Sequence, residues 1–186
     1  MELDTATRRA IDRLMIAEVI QMYGSHYDEG RMDEFVELFA DDAVLDFEPD
    51  PGYFPTPLVG REMISEHMRA RNAEVAATAQ RRHLTTNTIF EHLDDDTART
   101  ESFLTVLSVE HGSNAPIVNA TGVYRDAFRK VDGRWLLAER KATLDAVRSR
   151  KEPEAAPEVG ADAATVDPDG KSWASVEHEI VDEMGP

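Results

Sequence analysis

The sequence has 186 residues, with 37 acidic against 20 basic side chains for a net charge of −17, and no cysteine. Without cysteine there is no disulfide framework, thiolate metal site, iron–sulfur cluster or Cys nucleophile, and so negative a chain is a poor partner for nucleic acid, whose phosphates need clustered Lys and Arg. Hydrophobic residues at 41% suffice for a core, no run approaches the roughly 20 apolar residues of a membrane span, and MELDTATRRAIDRL lacks the apolar stretch of a secretory signal, so the expected location is the cytoplasm.

Over residues 5–27, Ile11, Leu14, Met15, Val19, Met22, Tyr23 and Tyr27 recur mostly three and four apart, which predicts a helix with one apolar face. Gly30 follows as a stop, and residues 32–39 form a short second helix with Phe35, Leu38 and Phe39 on one side. Residues 43–47 are a short β-prone run, and EPDPGYFPTP is a shaped loop, because its prolines and glycine break regular structure. Residues 60–77 read as a third helix with Met63, Ile64, His67 and Met68 inward. The period then changes from 3.6 to 2 over residues 83–93, 97–109, 117–130 and 134–144, separated by the short turns DDD, HGSNAP and VDG, so these strands are antiparallel neighbours. Helices followed by long strands predict an α+β domain over residues 1–149. Residues 150–186 form an acidic, Pro- and Ala-rich tail with little to bury, net charge −9 over residues 152–186, whose SWASVEHEIVDEM can make one helical turn.

Several residues could carry chemistry. Tyr23, His26 and Tyr27 share a helical face, and Asp28 lies where the helix ends. An acid at the carbonyl end of a helix costs about 0.3–1 kcal/mol, so Asp28 and Glu29 are either solvated or, if buried, partnered. Strand alternation puts His83, Thr85 and Asn87 on one face; a polar inner face of a curved sheet marks a pocket, whereas a lone His at a strand edge is inert. His26, His67, His92, His111 and His178 lack metal-ligand spacing, and no GxGxxG, GxxxxGK[ST] or GxSxG occurs. The expectation is therefore acid–base chemistry on a small molecule, with no metal and no cofactor. Arg81 and Arg82 read as one solvated and one paired arginine, outside any site, and Phe128, Trp135 and Leu137 read as core.

The segments YDEGRMDEFVELFADDAVLDF, VGREMISEHM, RRHLTTNTIFEHLDDDTARTESF and TGVYRDAFRKVDGRWLLAERK, in that order, resemble the SnoaL-like branch of the nuclear transport factor 2-like superfamily over about residues 8–145. The resemblance implies a cone of helices around a curved antiparallel sheet, with a ligand pocket inside. At the chemically important points the chain is most similar to scytalone dehydratase, hexachlorocyclohexane dehydrochlorinase and the bile acid dehydratases, which use a His–Asp pair. This implies His83 and Asp28 as the catalytic pair, with Tyr27 and Tyr23 as assisting tyrosines. Where scytalone dehydratase has a second pocket Tyr, a second His and an Asn, this chain has residues near Phe47, Ser108 and Tyr124. The resulting pocket is more aromatic, suits an aryl or polycyclic hydroxylated substrate, and regains a hydroxyl from Tyr53.

The implied activity is a cofactor-independent dehydratase-type lyase. Rivals on the same fold are an isomerase or polyketide-type cyclase, a deformylating carbon–carbon lyase, and a non-catalytic binding or structural subunit. The resemblance also implies a homodimer or homotrimer joined through the outer sheet face. Along residues 97–109 the larger set Arg99, Glu101, Phe103, Thr105, Leu107 and Val109 alternates with the smaller Ala98, Thr100, Ser102 and Ser108. The larger set either meets a partner subunit or packs under the helices, and Glu101 reads as an interface ion pair.

Overall fold

The computed structural model describes residues 4–145; the tail, its helical turn and His178 lie outside the described residues. Helix α1 (Thr5–Asp28) starts at Asp4, whose carboxylate accepts from Thr7 N at 3.0 Å and from the Thr7 hydroxyl at 2.6 Å. Such a cap satisfies an otherwise orphaned helix N–H and is worth about 1 kcal/mol. The buried stripe of α1 is Asp12, Ile16, Val19, Ile20, Tyr23, Gly24 and Tyr27. Ile11 and Leu14, expected on the apolar face, are exposed, because the stripe running back from Tyr27 passes through Asp12 instead. Asp12 Oδ1 accepts from Trp135 Nε1 at 2.8 Å and from Lys130 Nζ at 2.6 Å, so a carboxylate anchors the first half of α1 to the last hairpin.

The second helix, α2 (Met32–Val36), stops earlier than expected, and Phe39 already belongs to the ten-residue strand β1 (Phe39–Glu48). Residues 43–47 were expected as a β-prone run, and a register shift between Phe39 and Val44 hides the earlier part of the strand from a period-2 reading. It lets Asp41 and Asp42 both turn outward, where Asp41 meets Arg61 at 2.7 Å and Asp42 pairs with Arg129. A loop then leads to the two-residue β2 (Leu58–Val59), which the sequence reading missed, and to α3 (Arg61–Ala76). Ile64 and Met68 are buried on the inner side of α3, with Met63 packed against the core.

Strands β3 (Ala79–Leu93), β4 (Thr97–Glu110), β5 (Ile117–Val131) and β6 (Arg134–Leu144) complete a six-stranded sheet of order β2-β1-β6-β5-β4-β3. Neighbours are antiparallel except β1 and β6, which run parallel. The β5–β6 hairpin turns on Asp132 and Gly133, both at positive φ (49° and 78°), the pattern of a two-residue turn whose twist matches that of the strands. The fold is α+β as expected, with a curved sheet packed against the N-terminal helices.

Two features of β3 decide what reaches the interior. It begins four residues before His83, so that Arg81, His83 and Thr85 face inward while Gln80, Arg82, Leu84 and Thr86 face out. At Asn87 (φ 54°) a register shift breaks the alternation. Asn87 is therefore exposed rather than on the face of His83, and Thr88 turns inward, its hydroxyl 2.9 Å from that of Ser102. On β4 the small set packs inward and the large set faces outward. Glu101 forms its ion pair within the chain, with Arg125 at 2.9 Å.

Candidate active site

Asp28 closes α1 in a position that helix electrostatics disfavour, and its surroundings compensate. The carbonyls at the helix end are capped by side chains: Asn72 Nδ2 donates to Tyr27 O at 2.6 Å, and Gln80 Nε2 donates to Asp28 O at 3.1 Å. The carboxylate itself turns to β3. Asp28 Oδ2 accepts from the backbone N–H of His83 at 2.6 Å, and Oδ1 lies 2.6 Å from His83 Nδ1. Both side chains are enclosed, at 5% exposure for Asp28 and 11% for His83. A carboxylate offers only acceptors, so this contact puts the ring proton on Nδ1. Nε2 has no hydrogen-bond partner among the described residues.

The approach of α1 to β3 is set by Gly24. A Cβ there would lie 2.9 Å from His83 Cβ and 3.2 Å from His83 O, closer than side chains pack. A glycine inside a helix costs about 1 kcal/mol relative to Ala, and here the missing methyl is what lets helix and strand meet.

His83 lines a cavity of about 380 Å³, open mouth included, whose other walls are Tyr23, Tyr27, Phe47, Tyr53, Phe54, Met68, Arg71, Arg81 and Tyr124. The Tyr27 ring stands edge-on to the His83 ring at 5.6 Å between centroids. Tyr23 packs against Phe35 (4.9 Å), Phe39 (6.0 Å) and Tyr124 (5.9 Å). Burial pushes the Tyr23 phenol up to about 12 and raises those of Tyr27 and Tyr124 as well, so all three remain neutral hydrogen-bond donors across the physiological range. The loop after β1 contributes Tyr53 and Phe54. Thr56 ties it down, its hydroxyl donating to Asp46 Oδ1 at 3.0 Å and accepting from Phe47 N at 2.9 Å.

Behind this wall lies Arg140, fully buried at 0% exposure. Its guanidinium sits 4.0 Å from the Tyr23 ring centre and 4.1 Å from that of Tyr124, and donates to both oxygens of Asp126, from Nε at 2.7 Å and Nη2 at 2.6 Å. Burial alone would lower the arginine pKa, but Asp126 more than offsets it and raises it. A charged pair stacked between two phenols fixes the orientation of both rings.

Seven of the eight expected site residues therefore gather here: His83, Tyr23, Tyr27, Phe47, Tyr53 and Tyr124 line the cavity, and Asp28 backs His83. Ser108 does not join them; it is buried on the inward face of β4, opposite Arg81 in register, away from the cavity lining. Arg81, set aside on sequence, turns inward as a wall residue, while Arg82 points out and pairs with Glu29 at 3.2 Å. Its signal was present, since Arg81 stands two residues from His83 on the same strand. Arg71 falls three residues after Met68 on the inner side of α3 and was overlooked in the same way. Arg140 and Asp126 gave less warning. Counting back from the Asp132–Gly133 turn pairs Asp126 with residue 139, and only the register shift between Ala127 and Phe128 brings it opposite Arg140. Among the described residues no three His, Asp or Glu side chains converge as metal ligands.

Residues 8–141 match the SnoaL-like domain. The chain belongs to the SnoaL-like family. That family includes cyclases, isomerases and dehydratases. Among solved structures, a protein of unknown function from Mycobacterium tuberculosis is 23% identical with a TM-score of 0.66, over 97% of this chain and 94% of its own. A candidate scytalone dehydratase from Novosphingobium aromaticivorans is 17% identical with a TM-score of 0.65, covering 76% of this chain and 89% of that one. The beta subunit of a candidate aromatic-ring-hydroxylating dioxygenase from the same organism is 20% identical with a TM-score of 0.61, over 75% and 92%. At these identities the structures establish a shared fold and no more. No curated protein matches the sequence. No helix of the described residues is long and apolar enough to cross a membrane.

Proposed function

We propose that this SnoaL-like protein is a lyase that needs no cofactor and removes water from a small aromatic or polycyclic hydroxylated substrate. The observation that carries the reading is the 2.6 Å contact between Asp28 Oδ1 and His83 Nδ1 beside an aromatic cavity. His83 Nε2 takes a proton from a carbon next to a carbonyl, and the electron pair left behind forms the new carbon–carbon double bond as hydroxide departs from the neighbouring carbon. A proton from Tyr23 or Tyr27, or the one now on Nε2, joins that hydroxide to make water. Asp28 and the negative end of α1 stabilise the imidazolium formed midway. The neutral phenols supply hydrogen bonds to the oxygen that gains charge.

The test is a screen of aryl alcohols and β-hydroxy carbonyls, with product mass as the readout. A product lighter by one water supports elimination. An unchanged mass supports an isomerase or cyclase, and loss of a larger fragment supports carbon–carbon cleavage; all three use the same base. His83→Ala is expected to reduce turnover by about 10²- to 10⁴-fold or more, the range for one positioned acid–base group. Activity near wild type in that variant refutes the mechanism. We also place a subunit contact on the outer face of the sheet, where Leu84, Phe103 and Val118 are exposed together with the outward residues of β4, giving a homodimer or homotrimer.

A further inference from the structure

We propose that the substrate carries a carboxylate remote from its reacting carbon, and that Arg81 holds this carboxylate with Arg71 beside it. The inference rests on the reading of the cavity as a substrate site and names the class of molecule that enters it.

The arginines of this region are unequally satisfied. Arg82 is paired with Glu29 on the outside. Arg71 gives Nη1 to Glu74 Oε2 at 2.6 Å, and its guanidinium lies 4.1 Å from the Tyr53 ring centre. Arg81 makes no ion pair with any carboxylate among the described residues, and its Nε is buried without a hydrogen-bond partner, as is that of Arg71. Both oxygens of Asp28, whose charge acts on Arg81, are already occupied by His83. A buried guanidinium donor with no acceptor bears its full desolvation cost, and wall positions in a ligand cavity explain why it is retained.

The chemistry of the anchor follows from its charge and shape. A guanidinium edge offers parallel N–H groups that match the two oxygens of a planar carboxylate. With Arg71 paired to Glu74, Arg81 is the wall arginine left without a carboxylate partner, and a single guanidinium suits a monoanion better than a phosphate dianion. Arg81 and His83 are two residues apart on one strand face, so their backbone positions are separated by about 7 Å. The carboxylate is thus a handle several bonds from the carbon that loses its proton. Phe47, Phe54 and the tyrosines cover the apolar skeleton between the two.

Isothermal titration of the full chain with 2-naphthoate, its neutral isostere 2-naphthamide, and 2-naphthyl phosphate tests this without requiring turnover. Wild type is expected to bind the acid at least tenfold more tightly than the amide. Arg81→Gln should erase that preference while leaving the amide affinity within about twofold, and Arg81→Lys should recover part of it. His83→Ala should keep the preference, which separates the anchor from the proposed base: a dead catalyst that still selects the acid leaves the anchor standing. Equal affinities in wild type, absence of binding by both ligands, tighter binding of the phosphate, a preference that survives Arg81→Gln, or one that vanishes in His83→Ala each overturn the proposal. If Arg81→Gln binds neither ligand, the cavity itself has been lost, and the Arg81→Lys variant decides: recovered acid preference supports the anchor and its absence overturns it.

Discussion

Asp28 holds His83 at two points, one oxygen on the backbone N–H and the other on Nδ1, each at 2.6 Å. The first contact fixes where the strand passes the helix end; the second fixes which ring nitrogen carries the proton. Asp28→Asn preserves size but can present an amide N–H to Nδ1, which favours the opposite tautomer. The expected result is a shift of the His83 ¹⁵N resonances to the Nε2–H form and a drop in turnover of about 10⁴, by analogy with the same exchange in a hydrolase triad. Unchanged ring resonances would show that Asp28 does not set the tautomer.

Gly24→Ala makes a counterintuitive prediction. Helix propensity alone stabilises by about 1 kcal/mol. The new methyl, however, would stand 2.9 Å from His83 Cβ and 3.2 Å from the strand carbonyl, so α1 must move away from β3. Overpacking of this kind typically costs about 1–3 kcal/mol, and urea denaturation should find the variant less stable than wild type. A more stable variant would mean that the helix–strand approach is looser than described.

Asp126→Ala leaves the Arg140 guanidinium charged, buried and without its carboxylate. Breaking a buried pair from one side costs about 3–5 kcal/mol, far above the roughly 0–1 kcal/mol expected for an exposed pair such as Arg69–Asp33. Denaturant midpoints of Asp126→Ala and Asp33→Ala should differ accordingly; similar midpoints would show that Arg140 finds another partner.

These energetics bear on what the sequence could reveal. Helix α1 and the four long strands were readable because each keeps a period near 3.6 or 2 over most of its length and ends at a recognisable turn. Of strand β1 only residues 43–47 were readable, because two consecutive outward aspartates, Asp41 and Asp42, interrupt the alternation of its first half. Asp28 and His83 were each marked by position, an acid at the carbonyl end of a helix and a histidine on a polar strand face, but only the resemblance paired them and assigned the other cavity residues. Arg140 was hidden for a different reason: sequence patterns treat arginine as exposed, and a register shift conceals the aspartate that makes its burial tolerable. Asn87 was misplaced by the same kind of event, a positive-φ residue at a register shift that reverses the faces of β3 until a second shift between Phe90 and His92.

Alkaline stability follows from the three enclosed phenols. The folded pKa of Tyr23 is raised to about 12 from an ordinary 10.0, and those of Tyr27 and Tyr124 are raised too, chiefly by burial. The folded protein therefore retains protons that the unfolded chain has released. This contribution is complete below about pH 10 and is lost as pH rises from there through about 12. In a spectrophotometric titration, phenolate absorbance from three of the four tyrosines should emerge together with loss of near-ultraviolet circular dichroism. Reversible ionisation of all four near pH 10 with the fold intact would contradict the burial.

Association through the outer sheet face predicts a mass in light scattering that is a multiple of 20.8 kDa. Phe103 is 51% exposed there and Val118 63%. Phe103→Asp should shift the protein to the monomer while leaving the cavity on the opposite face untouched. A monomeric wild-type protein would refute the contact.

The proposed reacting pair and the far wall of the cavity are carried by different parts of the chain. Asp28 and His83 are locked together by α1 and β3, whereas Tyr53 and Phe54 ride on the loop between β1 and β2, secured mainly through Thr56. Substitutions in nine residues, 49–57, can therefore redraw which molecules fit without disturbing the groups that would act on them. A scaffold divided in this way can acquire new substrates by mutation in one place and keep its chemistry in another, so descendants of a common ancestor can diverge in diet while sharing a catalyst.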